Sequence, residues 1–213
     1  MSDELHWLKK TLADYPDRGI AVYIRSGTAY SGPNAKDANS VLDEDAKEIG
    51  RAFGNRLGGL LTGVVSAPGN TSIETARCIL EGAGIEGNIQ EDADIGDPSL
   101  YVTNLELAMS QVGGLPKEDA REALLHGILR DRESWAASDV KTVARKIQDK
   151  LMAAIRPGKI SVFVSPSTAI AATVGIALGL EKSIGYADCP IFLEGAVFAP
   201  SKDGSVCVQM GAH

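Results

Sequence analysis

Short apolar segments that alternate with helical segments are the feature of this sequence that most restricts its fold. Three of them, residues 19–24, 63–66 and 161–164, are short and rich in β-branched residues, as buried strands are. Strands that alternate with helices form parallel sheets covered on both faces. The sequence therefore predicts a three-layer α/β fold, with a mostly parallel central sheet and helices on both of its faces.

The remaining elements follow from periodicity, turns and caps. We predict helices over residues 4–12, 43–57, 71–81 and 167–178, a short strand over 87–91, and closing strands over 192–199 and 205–209. Thr71 and Glu74 have the spacing of a capping box at the start of the third helix. Residues 92–156 are mostly helical, with breaks at 113–116 and 134–138. They are predicted to form a helical cap insertion within a single domain over residues 1–213.

Charge and hydropathy restrict the class of partner. The chain has 213 residues, a formal net charge of -7 and no run of Lys and Arg. An acidic chain without a basic patch repels nucleic acid. No apolar run is long enough to span a membrane, and the amino-terminal residues lack the apolar core of a signal peptide. We therefore expect a cytoplasmic protein that binds neither nucleic acid nor membrane.

Cysteine, glycine and carboxylate spacings indicate no metal site and no cofactor. Cys78, Cys189 and Cys207 lack a Cys-x-x-Cys spacing, which argues against a disulfide framework and a zinc site. The acidic residues at 92, 94 and 97 lack a recognised ligand spacing and fit a turn. No glycine-rich phosphate or dinucleotide loop is present. The roles of His126 and of residues 92–97 are left open.

Polar residues follow the three predicted strands. The carboxyl ends of parallel strands meet at one edge of a sheet, where ligands bind, and helix N-termini there attract anions. The sequence therefore predicts a site for a small anionic or polar ligand. Its candidate residues are Arg25, Ser26, Gly27, Thr71, Ser165 and Ser167.

Each candidate residue also has a structural explanation. Arg25 fits an ion pair as well as a ligand contact, and the pair Ser26-Gly27 fits a tight turn. The hydroxyl residues after the second and third strands fit helix caps.

Several stretches resemble motifs of the histidine phosphatase superfamily, which includes phosphoglycerate mutases and acid phosphatases. Residues 20–27, IAVYIRSG, resemble its opening strand and Arg-His-Gly motif. Residues 65–76, VSAPGNTSIETA, are similar to its Ser-Ser-Pro stretch, which continues to an Arg and then Gln-Thr-Ala. Residues 162–167, VFVSPS, stand where the family has a strand ending in its second catalytic His, and residues 189–195, CPIFLEG, resemble a later stretch. The resemblance runs in order through nearly the whole chain and implies the fold of that family.

The resemblance also implies that the family's chemistry is missing. The His that takes up the phosphoryl group corresponds to Ser26, and the second His corresponds to Pro166. The proton-donating Asp corresponds to Ser167. Of the two Arg residues that clamp the phosphate, the first matches Arg25 and the second matches Thr71. The resemblance thus implies a degenerate member, lacking the catalytic histidines, that forms no phosphohistidine.

Two classes of function stay open at this point. One is a binding or regulatory protein that holds a small anionic or polar ligand, or a protein partner, in the old pocket. The other is an enzyme with a different reaction in the same cleft, for example one that uses Arg25 with a carboxylate from the cap, or a weak residual phosphomonoesterase. The sequence decides neither this question nor whether the chain forms a homodimer.

Overall fold

Six strands form one central sheet in the part of the chain that a computed structural model describes, which is residues 10, 13–14, 18–27, 42–131, 133, 135, 137–185, 189–201 and 206–210. They are β1 (Ile20–Arg25), β2 (Leu61–Ser66), β3 (Gln90–Glu91), β4 (Ile160–Ser165), β5 (Gly195–Pro200) and β6 (Val206–Met210). Their order across the sheet is β3-β2-β4-β1-β5-β6. The first four run parallel, whereas β5 and β6 are antiparallel to their neighbours. The predicted mostly parallel sheet is confirmed.

The central position of β4 brings the three predicted strands together. Ile160 to Ser165 pair with β1 on one side, and Ile160 to Val164 pair with β2 on the other. Every residue of β4 is buried. A strand buried on both faces reads as an almost continuous apolar run, which is the pattern that predicted it. The carboxyl ends of β2, β4 and β1 therefore lie side by side at one edge.

Helices cover both faces of the sheet. Among the described residues these are α1 (Glu44–Leu57), α2 (Asn70–Ala83), α3 (Leu105–Val112), α4 (Lys117–Arg130), α5 (Val140–Ala153) and α6 (Ser167–Ala177). Short 3-10 turns occur at Gly58–Leu60, Ala93–Ile95 and Pro98–Leu100. None of the helices described here combines the length and the hydropathy that crossing a bilayer requires.

Side chains of β1 show how the two faces are built. Ala21 and Tyr23 pack in a buried cluster with residues of α5 and α6. Ile20, Val22 and Ile24 pack in a second cluster with residues of α1 and α2. Alternate side chains of a strand point to opposite faces, so each face gets its own core. The predicted three-layer arrangement is confirmed.

Residues 92–156 contribute helices to the layer on one face of the sheet and to the region beside that layer. The helix α5 packs on β1, β5 and α6. Its buried residues Val140, Ala144, Ile147 and Leu151 form an apolar stripe at helical spacing. The helices α3 and α4 pack on each other, and α4 packs on α6. The extent of the helical insertion and the single domain over residues 1–213 stay predictions.

Two strands begin three residues later than the sequence predicts. The third strand is only Gln90–Glu91, because just two residues pair with β2. The strand expected from residue 192 begins at Gly195, because a turn precedes it in which the Glu194 N–H donates to the Ile191 carbonyl at 2.9 Å. The predicted helix over 4–12 lies outside the described residues, apart from Lys10.

Candidate functional site

The candidate site lies at the edge where β2, β4 and β1 end. The Ser26 N–H donates to the Ser165 carbonyl at 3.0 Å, and the Ala67 N–H donates to the Val164 carbonyl at 2.9 Å. Neighbouring loops therefore leave the sheet about one strand spacing apart, roughly 4.8 Å, and the loop after β4 lies between the other two. The structure thus brings together the segments that carry the candidate residues.

Arg25, the last residue of β1, has structural partners in the loop before β5. Its Nη1 donates to the Pro190 carbonyl at 3.1 Å. Its backbone N–H donates to the Glu194 carbonyl at 2.8 Å, and its carbonyl accepts the Leu193 N–H at 3.1 Å. A ligand would therefore share the Arg25 guanidinium with this loop.

Ser26 and Gly27 are buried, and their backbone N–H groups are used within the protein. The Ser26 N–H donates to Ser165, as described above, and the Gly27 N–H donates to Thr75 Oγ1 at 3.1 Å. A Cβ atom on Gly27 would lie 2.4 Å from Leu42 Cδ2, so this position is closely covered. Neither amide is available to an anion. Ser26 can offer a ligand only its hydroxyl.

Thr75 is a residue of this region that the sequence patterns do not single out. It is fully buried, and its hydroxyl donates to the Thr71 carbonyl at 2.7 Å while accepting the Gly27 N–H. It therefore ties α2 to the loop after β1. A threonine that bonds the carbonyl one helical turn earlier is common, so nothing local indicates the second bond.

The first turn of α2 presents backbone N–H groups at the same edge. Gly69 precedes the helix with a φ of 146°, and no side chain caps it. The predicted capping box is wrong, because Glu74 accepts the Leu42 N–H at 2.6 Å and pairs with Lys47 at 3.3 Å. Thr71 lies inside this first turn, half-buried. The first N–H groups of a helix lack intrahelical partners, and with the helix dipole they attract anions.

Ser165 lies in the core, where its hydroxyl is bonded within the protein. Its side chain is fully buried, and its Oγ donates to the Ile95 carbonyl at 2.7 Å and lies 2.9 Å from the Tyr23 hydroxyl. The Tyr23 hydroxyl also donates to the Ile95 carbonyl. Burial raises the pKa of Tyr23 well above its usual value, so it stays a proton donor. These protein partners occupy the Ser165 hydroxyl.

Residues 92–97, which we call the strap, cross the ends of β2 and β4. Ile95 is fully buried. A Cβ atom on Gly96 would lie 2.4 Å from Ser165 Oγ and 2.9 Å from both Ala67 Cβ and Pro166 Cδ. Real Cβ atoms essentially never approach so closely, so the strap is in tight contact with the ends of both strands. It covers Pro166, the position of the second histidine in the resemblance.

Two lysines of α5 hold the acidic residues of the strap. Lys150 Nζ lies 2.6 Å from Asp92 Oδ2 and 2.9 Å from Asp94 Oδ2, and Lys146 Nζ lies 2.8 Å from Asp94 Oδ1. Hydrogen bonds from Lys146 and Lys150 lower the pKa of Asp94. Asp97 closes a turn by accepting the Ser99 N–H at 2.8 Å. In the described part of the chain, no His, Cys, Asp and Glu residues group as a metal site would require.

The start of α6 offers no side-chain cap. Pro166 precedes the helix, and Ser167 is its first residue and buried, so Ser167 is not the predicted cap. Of the three histidines only His126 is described, and it lies on α4 with an exposed side chain. Arg77 on α2 lines a separate groove of about 790 Å³ with Leu80 and Glu81.

Comparisons with known proteins identify the fold. No protein-family model and no curated protein sequence matches the chain. The solved structure of phosphoglycerate mutase from Bacillus anthracis matches with a TM-score of 0.55 at 14% identity, over 93% of this chain and 94% of that chain. The mycobacterial glucosyl-3-phosphoglycerate phosphatase matches with a TM-score of 0.56 at 16% identity, over 92% and 100%.

Phosphoserine phosphatase from Entamoeba histolytica, in complex with 3-phosphoglyceric acid, matches with a TM-score of 0.59 at 12% identity, over 91% of this chain and 97% of that chain. At such identities the likeness is one of fold. The matched proteins include a mutase and two phosphatases of the superfamily whose motifs the sequence resembles. The chain therefore has the fold of the histidine phosphatase superfamily.

Proposed function

We propose that this chain is a binding protein that holds a small anion at the edge of the sheet and carries out no phosphohistidine chemistry. One observation carries the proposal: the described residues of this edge include donors for an anion, but neither position that the resemblance assigns to a catalytic histidine holds one. The donors are the Arg25 guanidinium and the first turn of α2. Ser26 and Pro166 occupy the positions that the resemblance assigns to the two histidines.

The residue types at this edge do not support nucleophilic catalysis. A serine hydroxyl attacks phosphorus only when a neighbouring base takes its proton, and an arginine stays protonated at any physiological pH. Pro166 has no donor or acceptor on its side chain. Losing two charge-assisted bonds to a phosphate costs about 3–6 kcal/mol, which corresponds to a factor of roughly 10² to 10⁴ in rate.

Two solved structures of the same fold support a compact oxyanion as the ligand. A variant of Entamoeba histolytica phosphoserine phosphatase, in which one histidine is replaced by alanine, holds phosphoserine. The mycobacterial glucosyl-3-phosphoglycerate phosphatase is also solved with VO3. In the first case, a protein of this fold that has lost one histidine still binds a phosphate ester. We therefore propose inorganic phosphate or a similar small oxyanion as the ligand of this chain.

The expected affinity is low, because few of the described donors at this edge are left for a ligand. The N–H groups of Ser26 and Gly27 are bonded within the protein, and Arg25 is shared with Pro190. If the remaining contacts contribute about 4 kcal/mol, the dissociation constant is roughly millimolar.

Phosphate titration followed by NMR or calorimetry tests the site. Arg25→Ala should weaken binding at least about tenfold, since a charged hydrogen bond contributes roughly 1.5–3 kcal/mol. Arg77→Ala is the matched control, because it removes the same charge from an exposed position in a different groove. Equal affinities of the two variants would remove the basis for the site. Arg25→Lys and thermal unfolding separate loss of the ligand contact from loosening of the loop at Pro190.

A second experiment addresses the absence of phosphohistidine chemistry. Acid-quenched labelling with a radiolabelled phosphodonor should give no phosphoenzyme, and an aryl phosphate should not be turned over above background. The expectation follows from Ser26 and Pro166 at the two histidine positions. Robust turnover that disappears in Ser26→Ala would instead identify an enzyme.

A further inference from the structure

We infer that the strap, residues 92–97, forms one wall of the proposed anion site and restricts it to compact anions, and that Lys146 and Lys150 are the positioning residues of this wall. The size restriction rests on the proposed function. The position of the strap does not, because it follows from contacts within the protein.

The strap lies on the same side of the sheet edge as the Arg25 side chain. Arg25 and Ser165 are register partners on neighbouring strands, so their side chains leave the sheet on the same face. Tyr23, two residues before Arg25, lies on that face too, and both Tyr23 and Ser165 bond the Ile95 carbonyl. The strap therefore stands about one strand spacing from Arg25.

The strap leaves no room over the ends of β2 and β4. At Gly96 even one added carbon would meet Ser165, Ala67 and Pro166 within 3 Å. A phosphate bound beside Arg25 and clear of Pro166 needs none of this space. An ester whose alcohol extended over Pro166 would have to displace the strap first. The space occupied by the strap thus favours phosphate over phosphate esters with a large alcohol group.

Lys146 and Lys150 connect this wall to a rigid helix. They lie one turn apart on α5, on either side of Ile147, and together make three ion-pair contacts with Asp92 and Asp94. Ile147 and Leu151 of the same helix are fully buried, so α5 itself is anchored in the core. The strap is therefore held from inside by Tyr23 and Ser165, and from outside by the two lysines.

Amide exchange measured by NMR tests the role of the lysines. In Lys146→Gln/Lys150→Gln, the amides of Ile95, Gly96 and Asp97, which bond to carbonyls within the strap, should exchange about 3–10 times faster. Lys146→Arg/Lys150→Arg should keep the exchange rates within about twofold of the wild type.

The matched control is Lys141→Gln/Arg145→Gln, which removes two positive charges from the same helix at exposed positions that the strap does not pair with. It should leave exchange in the strap unchanged. Unchanged exchange in the Lys146/Lys150 variant, or equal acceleration in the control, would overturn the positioning role.

Binding of phosphate and of phenyl phosphate, at constant ionic strength, tests the wall. The wild type should bind phosphate at least about tenfold more tightly than phenyl phosphate. The Lys146→Gln/Lys150→Gln variant should reduce this preference about 3–10-fold. Its affinity for phosphate should stay within about threefold of that of the wild type. If the wild type binds both anions equally, the wall is refuted and the anion site stands. If it binds neither, the proposed function and the size restriction both fail, and the exchange rates still decide how the strap is held.

Discussion

Gly96→Ala is the substitution whose effect follows most directly from the packing of the strap. The backbone at Gly96 has a φ of 171°, an extended conformation that alanine adopts without strain. The whole effect is therefore steric, and the new Cβ would meet three atoms at 2.4, 2.9 and 2.9 Å. Overpacking of this kind costs about 1–3 kcal/mol. If Ser165 has to give up its bond to the Ile95 carbonyl, roughly 0.5–1.5 kcal/mol is added.

We therefore expect Gly96→Ala to lower the free energy of unfolding by about 2–3 kcal/mol and the melting temperature by roughly 4–12 °C. Urea denaturation and calorimetry measure both quantities. Gly87→Ala is the control, because Gly87 is exposed and an added Cβ there meets nothing within 4 Å. It should change stability by less than about 0.5 kcal/mol.

A double-mutant cycle identifies the cause of the loss. Ser165→Ala removes the atom closest to the new Cβ, so Gly96→Ala should cost less in that background. If Gly96→Ala is as stable as Gly87→Ala, or if the two substitutions are simply additive, then the strap is not packed on the ends of β2 and β4 as described, and the wall has no physical basis.

Three further predictions concern the edge and its support. Ser26→His should leave aryl phosphate turnover at background, because residues that act as a unit are strongly non-additive and Thr71 and Pro166 are unchanged. Thr75→Val should lower the free energy of unfolding in urea by about 1–3 kcal/mol, since it leaves the buried Gly27 N–H unpaired, whereas Thr75→Ser should lose less. The lysine contacts hold the pKa of Asp94 below its usual value, so their stabilisation is present at neutral pH and is lost as the pH falls through that lowered pKa. Unfolding measured from pH 7 to pH 3 should accordingly show a shallower acid dependence for Asp94→Asn than for the wild type.

The strands were predictable because their signal is local. The apolar runs of β1 and β4 are bounded by polar loops, and burial on both faces leaves that pattern directly in the sequence. The third strand was predicted too long, because pairing with β2 at only two residues is a property of the sheet and not of residues 87–91.

The position of the strap and the hydrogen bond of the Ser165 hydroxyl were not predictable in the same way. The bond from Ser165 to the Ile95 carbonyl joins residues 70 positions apart, and the bond from Lys150 to Asp92 joins residues 58 positions apart. A serine after a strand has the same local pattern whether its hydroxyl meets a ligand or a buried carbonyl. The acidic residues of the strap likewise resemble a solvated turn until the position of α5 is known.

The central place of β4 in the sheet also determines when the sheet can form. β1 and β2 do not pair with each other, and the partner that joins them comes much later in the chain: Ile20 pairs with Ile160, 140 positions away, and Leu61 pairs with the same residue, 99 positions away. Contacts so distant in sequence have a high contact order, and loop closure must precede them, so folding is expected to be slow. During synthesis, β1 leaves the ribosome without a strand partner, and β2 can pair only with the two residues of β3 before β4 appears. The nascent chain therefore depends on the arrival of β4, and until then its two earliest strands are the segments most exposed to aggregation.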